Sequence, residues 1–121
     1  MYFKFNNSKS QKAPLFVYVK AEKGVVREVN GNHWTGVPKD RIEISKEEYD
    51  AAQESYDSNE PKEGDEVVVL EFVSVKNRYS KVKEIYVSGV GKSYEHRRAK
   101  LENGADWMLR DVRKKEFIHT K

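Results

Sequence analysis

Short runs of β-branched and aromatic residues, separated by turn residues, are the feature that most restricts how this chain can fold. Such runs favour the strands of a pleated sheet, and glycine, asparagine and proline favour the turns between them. The runs cover residues 2–5, 15–20, 25–29, 41–44, 66–75 and 81–87. In the run 15–19, the aliphatic residues alternate with Phe16 and Tyr18, which predicts aliphatic side chains on one face and rings on the other.

One segment carries a clear helix signature instead. Ser45 can cap the first turn, and a glutamate three residues later, Glu48, completes a capping box. Tyr49, Ala52 and Tyr56 then repeat along one helical face. These signals predict a helix over about residues 46–57. The predicted fold class is therefore α+β, mainly antiparallel strands with one capped helix.

The second half of the chain is predicted to be rich in strands. The pattern Lys-Glu-Gly-Asp-Glu-Val at residues 62–67, followed by several short strands, resembles the start of SH3-like barrels at the level of fold. The resemblance covers residues 62–118 and implies a small barrel or a twisted sheet. Residues 94–101 fit either a helix or a strand, and Asn103-Gly104 is a hairpin signal that favours the strand.

The length of 121 residues predicts a single compact domain over 1–121. A polar turn at 60–65 divides it into sub-regions 1–59 and 64–121. The chain has no cysteine, and its longest apolar stretch, residues 13–19, is too short to cross a bilayer. No run at the N-terminus matches a signal peptide. These features predict a cytoplasmic protein without a membrane partner.

Basic charge is concentrated in the second half. Residues 61–121 carry 14 basic and 10 acidic side chains, and in residues 76–100 only two glutamates oppose eight basic residues. Three tyrosines are interleaved with those cations, and this mixture suits phosphates and stacked bases. If 94–101 is a strand, its even-numbered residues share one face from Tyr94 to Lys100. The alternative is a solvated sheet edge that charge keeps soluble.

This stretch and the basic segment 110–115 supply the predicted contacts to an anionic partner. The candidate residues are Lys81, Lys83, Lys92, Tyr94, His96, Arg97, Arg98, Lys100, Arg113 and Lys114. A second candidate is a protein-binding loop that contains His33 and Trp34, between Gly31 and Gly36. Alternatively, Trp34 folds back onto the core and donates its indole N–H to a backbone carbonyl.

Several function classes lack support in the sequence. Gly-Lys-Ser at residues 91–93 has no glycine at position 86, which a phosphate-binding P-loop requires, and no nucleophile elbow is present. His33, His96 and His119 are too far apart in sequence for a zinc motif. We therefore expect no enzyme activity, no cofactor, no metal site and no small-molecule substrate.

The predicted function is a non-enzymatic binding protein that engages nucleic acid, a nucleoprotein or another anionic partner. One alternative is an accessory protein or inhibitor that binds an acidic surface of a host protein such as a nuclease. The small size and the lack of cysteine are similar to those of phage or mobile-element accessory proteins. A second alternative is a structural subunit of an assembly or a homo-oligomer, for which the apolar residues of segment 107–118 would supply a contact strip.

Overall fold

The computed structural model describes residues 1–8 and 10–117, which divide into two compact units. The first unit contains residues 1–58 together with Phe117, and the second contains residues 59–116. Each unit holds one five-stranded sheet in which neighbouring strands are antiparallel. The predicted α+β class is confirmed. The assignment of the whole chain to one domain stays a prediction.

The sheet of the first unit has the strand order β4-β3-β2-β1-β5. Its strands are β1 (Tyr2–Asn6), β2 (Phe16–Glu22), β3 (Val25–Glu28), β4 (His33–Thr35) and β5 (Ile42–Glu43). Four of them lie within the runs of β-branched and aromatic residues that predicted strands. The exception is β4, because a three-residue strand inside a glycine-rich segment leaves little pattern to detect.

The pairing of β1 with β2 sorts side chains onto two faces as the alternation predicted. Phe3 lies opposite Val19, and both are completely buried in an apolar cluster. On the other face Lys4 lies opposite Tyr18, with its Nζ 5.6 Å from the ring centroid. Aliphatic and aromatic residues of β2 therefore separate between the two faces.

The helix α1 (Lys46–Ser58) begins and ends close to its predicted bounds. The backbone N–H of Glu48 donates to the Ser45 hydroxyl oxygen at 3.1 Å, which is the predicted cap. Tyr49, Ala52 and Tyr56 are buried along one face, as their spacing predicted. The ring of Tyr56 meets that of Phe117 edge to face, with centroids 5.8 Å apart.

The sheet of the second unit has the strand order β10-β6-β7-β8-β9. Its strands are β6 (Glu66–Val69), β7 (Tyr79–Ser88), β8 (His96–Leu101), β9 (Asp106–Met108) and β10 (Val112–Lys114). Across residues 59–116 no ladder joins β9 to β10, so the predicted barrel or sheet takes the form of a sheet. Its core is formed by Val67, Val69, Val82, Ala99, Leu101, Leu109 and Val112.

Two details of the second unit differ from the sequence-based expectation. The run 66–75 was predicted as one long strand, but β6 ends at Val69. Beyond it the backbone N–H of Val73 donates to the Glu71 carbonyl, and a 3-10 turn follows at Val75–Asn77, so local turns interrupt the β-forming run. Of the residues 94–101, for which a strand or a helix was expected, those from His96 onward form strand β8. Tyr94 lies in the turn before β8.

Candidate anion-binding site

The register of β7, β8 and β9 places charged and polar side chains in rows on one face of the second sheet. Lys100 lies opposite Glu84 on β7 and Asp106 on β9. In the next row Arg98 lies between Tyr86 and Met108. Residues that neighbour each other across antiparallel strands are close enough to pair, so Arg98 and Lys100 have partners within the sheet.

Asp106 is the centre of the resulting hydrogen-bond network. It accepts a bond from the Tyr86 hydroxyl and another from Arg98 Nε at 2.8 Å. Partial burial by itself would raise the pKa of Asp106, but these two donors outweigh it and hold that pKa below its ordinary value. The hydrogen bond from Tyr86 to Asp106 raises the pKa of Tyr86, because an ionised phenol could not donate to a carboxylate.

His96 extends the network towards the hairpin that joins β7 to β8. Its Nδ1 lies 2.8 Å from the Tyr94 carbonyl oxygen, and its Nε2 lies 3.0 Å from Arg98 NH1. A carbonyl can only accept and a guanidinium can only donate. Both contacts are hydrogen bonds in the tautomer that carries its proton on Nδ1 and accepts at Nε2.

Ion pairs within the second unit also involve two further predicted contact residues. Lys100 Nζ lies 3.9 Å from a Glu84 carboxylate oxygen and 5.2 Å from the centroid of the Tyr86 ring. Arg97 donates to the carboxylate of Glu60. Arg97 and Glu60 are both about half exposed, so their pair contributes little to stability and can separate at low cost. Arg98, by contrast, is held in the network around Asp106.

Arginine side chains converge at the edge of the sheet where β8 begins and β9 ends. The β8–β9 ladder ends at the Arg98–Met108 pair, and beyond it His96 and Arg110 line the same pocket. A pocket of about 200 Å³ lies there. We call it the arginine pocket, and its lining residues are Glu60, His96, Arg97, Met108, Leu109, Arg110 and Arg113.

The three arginines of the arginine pocket are fixed to different degrees. Arg113 is only 6% exposed, and its NH1 donates to the carbonyl oxygens of Leu109 at 3.1 Å and Val112 at 2.9 Å. Arg110 stands on the 3-10 turn Leu109–Asp111, with its Nε 3.7 Å from an Asp111 carboxylate oxygen. The pocket therefore combines one rigid guanidinium with two that are more exposed.

Next to the arginine pocket, the hairpin between β7 and β8 presents an aromatic ring. Tyr94 is 66% exposed, and one side of its ring lies against Gly89, which has a φ of +69°. A Cβ at Gly89 would lie 2.7 Å from two ring carbons of Tyr94, so only glycine permits this approach. Lys92, exposed between them in sequence, donates its backbone N–H to the Gly89 carbonyl.

Other predicted contact residues lie away from the arginine pocket. Lys81 lines a separate cavity of about 580 Å³ in which two lysines face two glutamates, so the cavity has no excess of positive charge. Lys83 falls where the β7–β8 register shifts, and this interrupts the alternation that would have placed it on the face of Lys81. Lys114 is half-buried in β10, and Arg78 within the basic stretch is buried.

His33 and Trp34 lie in strand β4 and not in a loop. The Trp34 indole N–H donates to a Glu28 carboxylate oxygen at 2.8 Å, and its ring meets Phe5 edge to face at 5.9 Å between centroids. The ring thus folds back on the first unit, although its acceptor is a carboxylate and not the expected carbonyl. A protein-binding role for these two residues stays a prediction.

Sequence reasoning did not select three residues of this region. Arg110 was part of a basic segment but was not singled out, and Glu60 and Asp106 were assigned no site. The Asn-Gly signal was not enough to find Asp106, because a two-residue turn at Asn103-Gly104 would place Asp106 opposite Leu101, whereas the observed register places it opposite Lys100. Glu60 carries no such signal, since it lies far from Arg97 in sequence.

In the ranges 1–8 and 10–117, no three His, Cys, Asp or Glu side chains are grouped so that they could hold a metal ion. His119 lies outside the described residues. The described part of the chain also contains no helix of the length and apolarity needed to cross a membrane. No protein-family model, no curated protein and no solved structure matches this chain.

Proposed function

We propose that the chain is a non-enzymatic binding protein and that its second unit binds single-stranded nucleic acid. The observation that carries the proposal is the convergence of three arginines on one small pocket, whose lining residue His96 contacts the backbone carbonyl of the exposed Tyr94. Guanidinium groups bind phosphate oxygens in bidentate geometry, and ring faces stack on bases of any sequence. Together these groups supply the two contacts that single-stranded nucleic acid needs.

The hydrogen bonds of His96 support a joint role for the pocket and the ring. His96 lines the arginine pocket, and its imidazole Nδ1–H donates to the Tyr94 carbonyl at 2.8 Å. That bond fixes the backbone that carries the ring relative to the wall of the pocket. A phosphate held by the arginines would then have its neighbouring base within reach of Tyr94.

The ion pairs of β8 narrow the predicted contact surface. Arg98 and Lys100 pair with Asp106 and Glu84 and do not line the arginine pocket, so the proposal assigns them to the support of the sheet. The phosphate contacts are assigned to Arg97, Arg110 and Arg113, and the stacking contact to Tyr94. Lys92 adds an exposed cation at the hairpin.

Fluorescence anisotropy with labelled single-stranded DNA and RNA tests the proposal. We expect log Kd to rise with log salt with a slope of about 2, from about 0.7 for each of three neutralised phosphates. Replacing Arg110 with Ala should weaken binding about tenfold, the loss of about 1.4 kcal/mol. Arg41→Ala, an exposed arginine of the first unit, is the matched control and should leave Kd unchanged.

The stacking contact is tested separately. Tyr94→Ala should weaken binding about 5- to 150-fold, because stacking on a ring contributes about 1–3 kcal/mol per base. Tyr94→Phe keeps the ring and should bind as the unaltered protein does. A Kd that is insensitive to salt, or that Tyr94→Ala leaves unchanged, would contradict the proposal.

The same assay separates the nucleic-acid proposal from its main alternative, an acidic protein surface. Poly-glutamate offers carboxylates without phosphates or bases. Binding to poly-glutamate with no binding to either oligonucleotide would overturn the nucleic-acid proposal and favour an acidic protein partner. Light scattering at high protein concentration addresses the assembly alternative, which a strict monomer would contradict.

A further inference from the structure

We propose that the β2–β3 hairpin of the first unit holds a separate binding site, which takes the phosphate group of a small phosphorylated molecule. The site is a cavity of about 310 Å³, which we call the hairpin pocket. Its lining residues are Lys20, Glu22, Lys23, Val25 and Arg27. The arginine pocket belongs to the second unit, so this inference goes beyond the proposed function and does not depend on it.

The register of the hairpin places two cations side by side on one face of the first sheet. Lys20 of β2 lies directly opposite Arg27 of β3. Residues in such a pair have Cβ atoms about 4.5–5.5 Å apart, and like charges there destabilise the sheet. An anion bound between Lys20 and Arg27 would remove this cost, so the arrangement favours the state with a bound anion.

Ion pairs within the first unit compensate only part of this positive charge. Lys20 Nζ lies 3.2 Å from a Glu22 carboxylate oxygen. Arg27 lies opposite Lys20 on one side and His33 on the other, so neither neighbouring strand places a carboxylate directly across from it. In the part of the chain that the structure describes, Lys23 and Arg27 form no ion pair, and both are exposed. The hairpin pocket therefore offers a guanidinium and an ammonium group to a ligand.

The backbone at the tip of the hairpin supports a role for Lys23. Its φ is +51°, and among the described residues it is the only one other than glycine with a positive φ. Lys23 and Gly24 form a two-residue turn, in which asparagine or glycine is usually found at the first position. Strained backbone of this kind clusters at functional sites. Here the strained residue contributes a cation to the hairpin pocket.

The size and chemistry of the hairpin pocket indicate the class of ligand. Its volume lies at the lower end of the roughly 300–1,000 Å³ that is typical of small-molecule pockets. The planar guanidinium of Arg27 can donate two parallel hydrogen bonds to phosphate oxygens, and Lys23 adds a point charge. Val25, which is 38% exposed, supplies an apolar wall for the organic part of the ligand. A small phosphate monoester has both parts.

Amide NMR spectra of the full chain, titrated with phenyl phosphate at constant ionic strength, test the site. We expect saturable shifts of the amide resonances of residues 20–27. Arg27→Gln should raise the Kd at this site about tenfold or more, because a hydrogen bond to a charged group is lost. Arg41→Gln, at another exposed arginine of the first unit, is the matched control and should leave that Kd unchanged. The absence of saturable shifts at residues 20–27, or an equal Kd in Arg27→Gln, would overturn the inference.

Two further ligands distinguish the phosphate group of a small molecule from other anions. Benzoate carries a carboxylate on the same ring, and an oligothymidylate with hydroxyls at both ends carries only internal phosphodiesters. Phenyl phosphate should bind about fivefold more tightly than benzoate, because the monoester is close to a dianion near pH 7. Equal affinity for benzoate would overturn the assignment to phosphate. Displacement of phenyl phosphate from residues 20–27 by the oligothymidylate would overturn the assignment to a small ligand.

The Lys23→Asn variant links the strained backbone to binding. It should raise the Tm, because asparagine adopts a positive φ more readily than lysine does. It should also weaken phenyl phosphate binding about threefold, because the ammonium group is lost. An unchanged Kd in Lys23→Asn would contradict the assigned contact of Lys23 with the ligand.

The arginine pocket supplies the control for independence from the proposed function. Arg110→Ala should leave the Kd for phenyl phosphate at residues 20–27 unchanged. Phenyl phosphate binding at residues 20–27, with no oligonucleotide binding by the same protein, would uphold the hairpin pocket and contradict the proposed function alone.

Discussion

At the scale of single residues, Asp106 is the carboxylate that holds the polar face of the second sheet together. Its carboxylate accepts from Tyr86 and from Arg98, and Lys100 lies directly opposite on β8. Without it, Arg98 would be a partly exposed guanidinium beside His96. The Asp106 carboxylate thus ties Arg98 into a hydrogen-bond network within the sheet.

The lowered pKa of Asp106 predicts a specific dependence of stability on pH. Because the folded pKa lies below the ordinary value of 3.8, the unfolded chain binds more protons between the two values, and stability rises with pH there. Asp106→Asn should lower the free energy of unfolding by about 1 kcal/mol at pH 7. The difference should shrink as the pH falls below 3.8 towards the folded value.

Urea unfolding at pH 7 and at pH 3 measures this effect. Asp40→Asn, at an exposed carboxylate of the first unit, is the matched control and should show no comparable loss at pH 7. A constant difference between Asp106→Asn and the unaltered protein at both pH values would contradict the assigned network.

At the scale of elements, the sequence predicted the features that depend on residues close together in the chain. The helix was predictable because Ser45, Glu48 and Tyr49 each act within two turns of one another. The length of β6 was not, since β-propensity continues through the run to Val75 while the backbone turns at Glu71. Alternation predicted the shared face of β8, but the ion pair of Glu60 depended on a distant contact.

The hairpin between β7 and β8 offers a test at the scale of an element. In Gly89→Ala the new Cβ would lie 2.7 Å from the Tyr94 ring, so the ring must move and oligonucleotide binding should weaken at least fivefold. Gly91→Ala is the matched control, because Gly91 also has a positive φ but has no atom within 4 Å of an added Cβ. Both variants should lose about 1 kcal/mol of stability through backbone strain.

Anisotropy and thermal unfolding of the two glycine variants separate binding from stability. Equal Kd values for Gly89→Ala and Gly91→Ala would show that the position of the Tyr94 ring is irrelevant to binding.

At the scale of the whole molecule, the chain leaves the first unit after Ser58 and returns to it at Phe117. Phe117 is 3% exposed, and its ring packs edge to face on Tyr56 of the helix. The first unit is therefore built from two separate stretches of sequence. The predicted boundary at residues 60–65 lies next to the observed division, but the return of Phe117 has no sequence signal, because an isolated aromatic residue does not show which partner it will contact.

Phe117→Ala should destabilise the first unit by about 3–5 kcal/mol, the usual loss for a buried phenylalanine. Denaturant unfolding followed by Trp34 fluorescence in a Trp107→Phe background reports on that unit. Phe72→Ala, at a phenylalanine that is 53% exposed, is the control and should change stability by about 0.5 kcal/mol or less. Equal unfolding midpoints for the two variants would contradict the role of Phe117.

The backbone N–H of Lys114 donates to the carbonyl of Asn59 at 2.9 Å, so the second unit starts and finishes at one point. The two ends of the second unit are therefore about as close together as the two ends of a hairpin loop. Lengthening or shortening the segment between them costs little chain entropy. We therefore expect that a segment closed in this way can be replaced by another with adjacent ends while the first unit still folds.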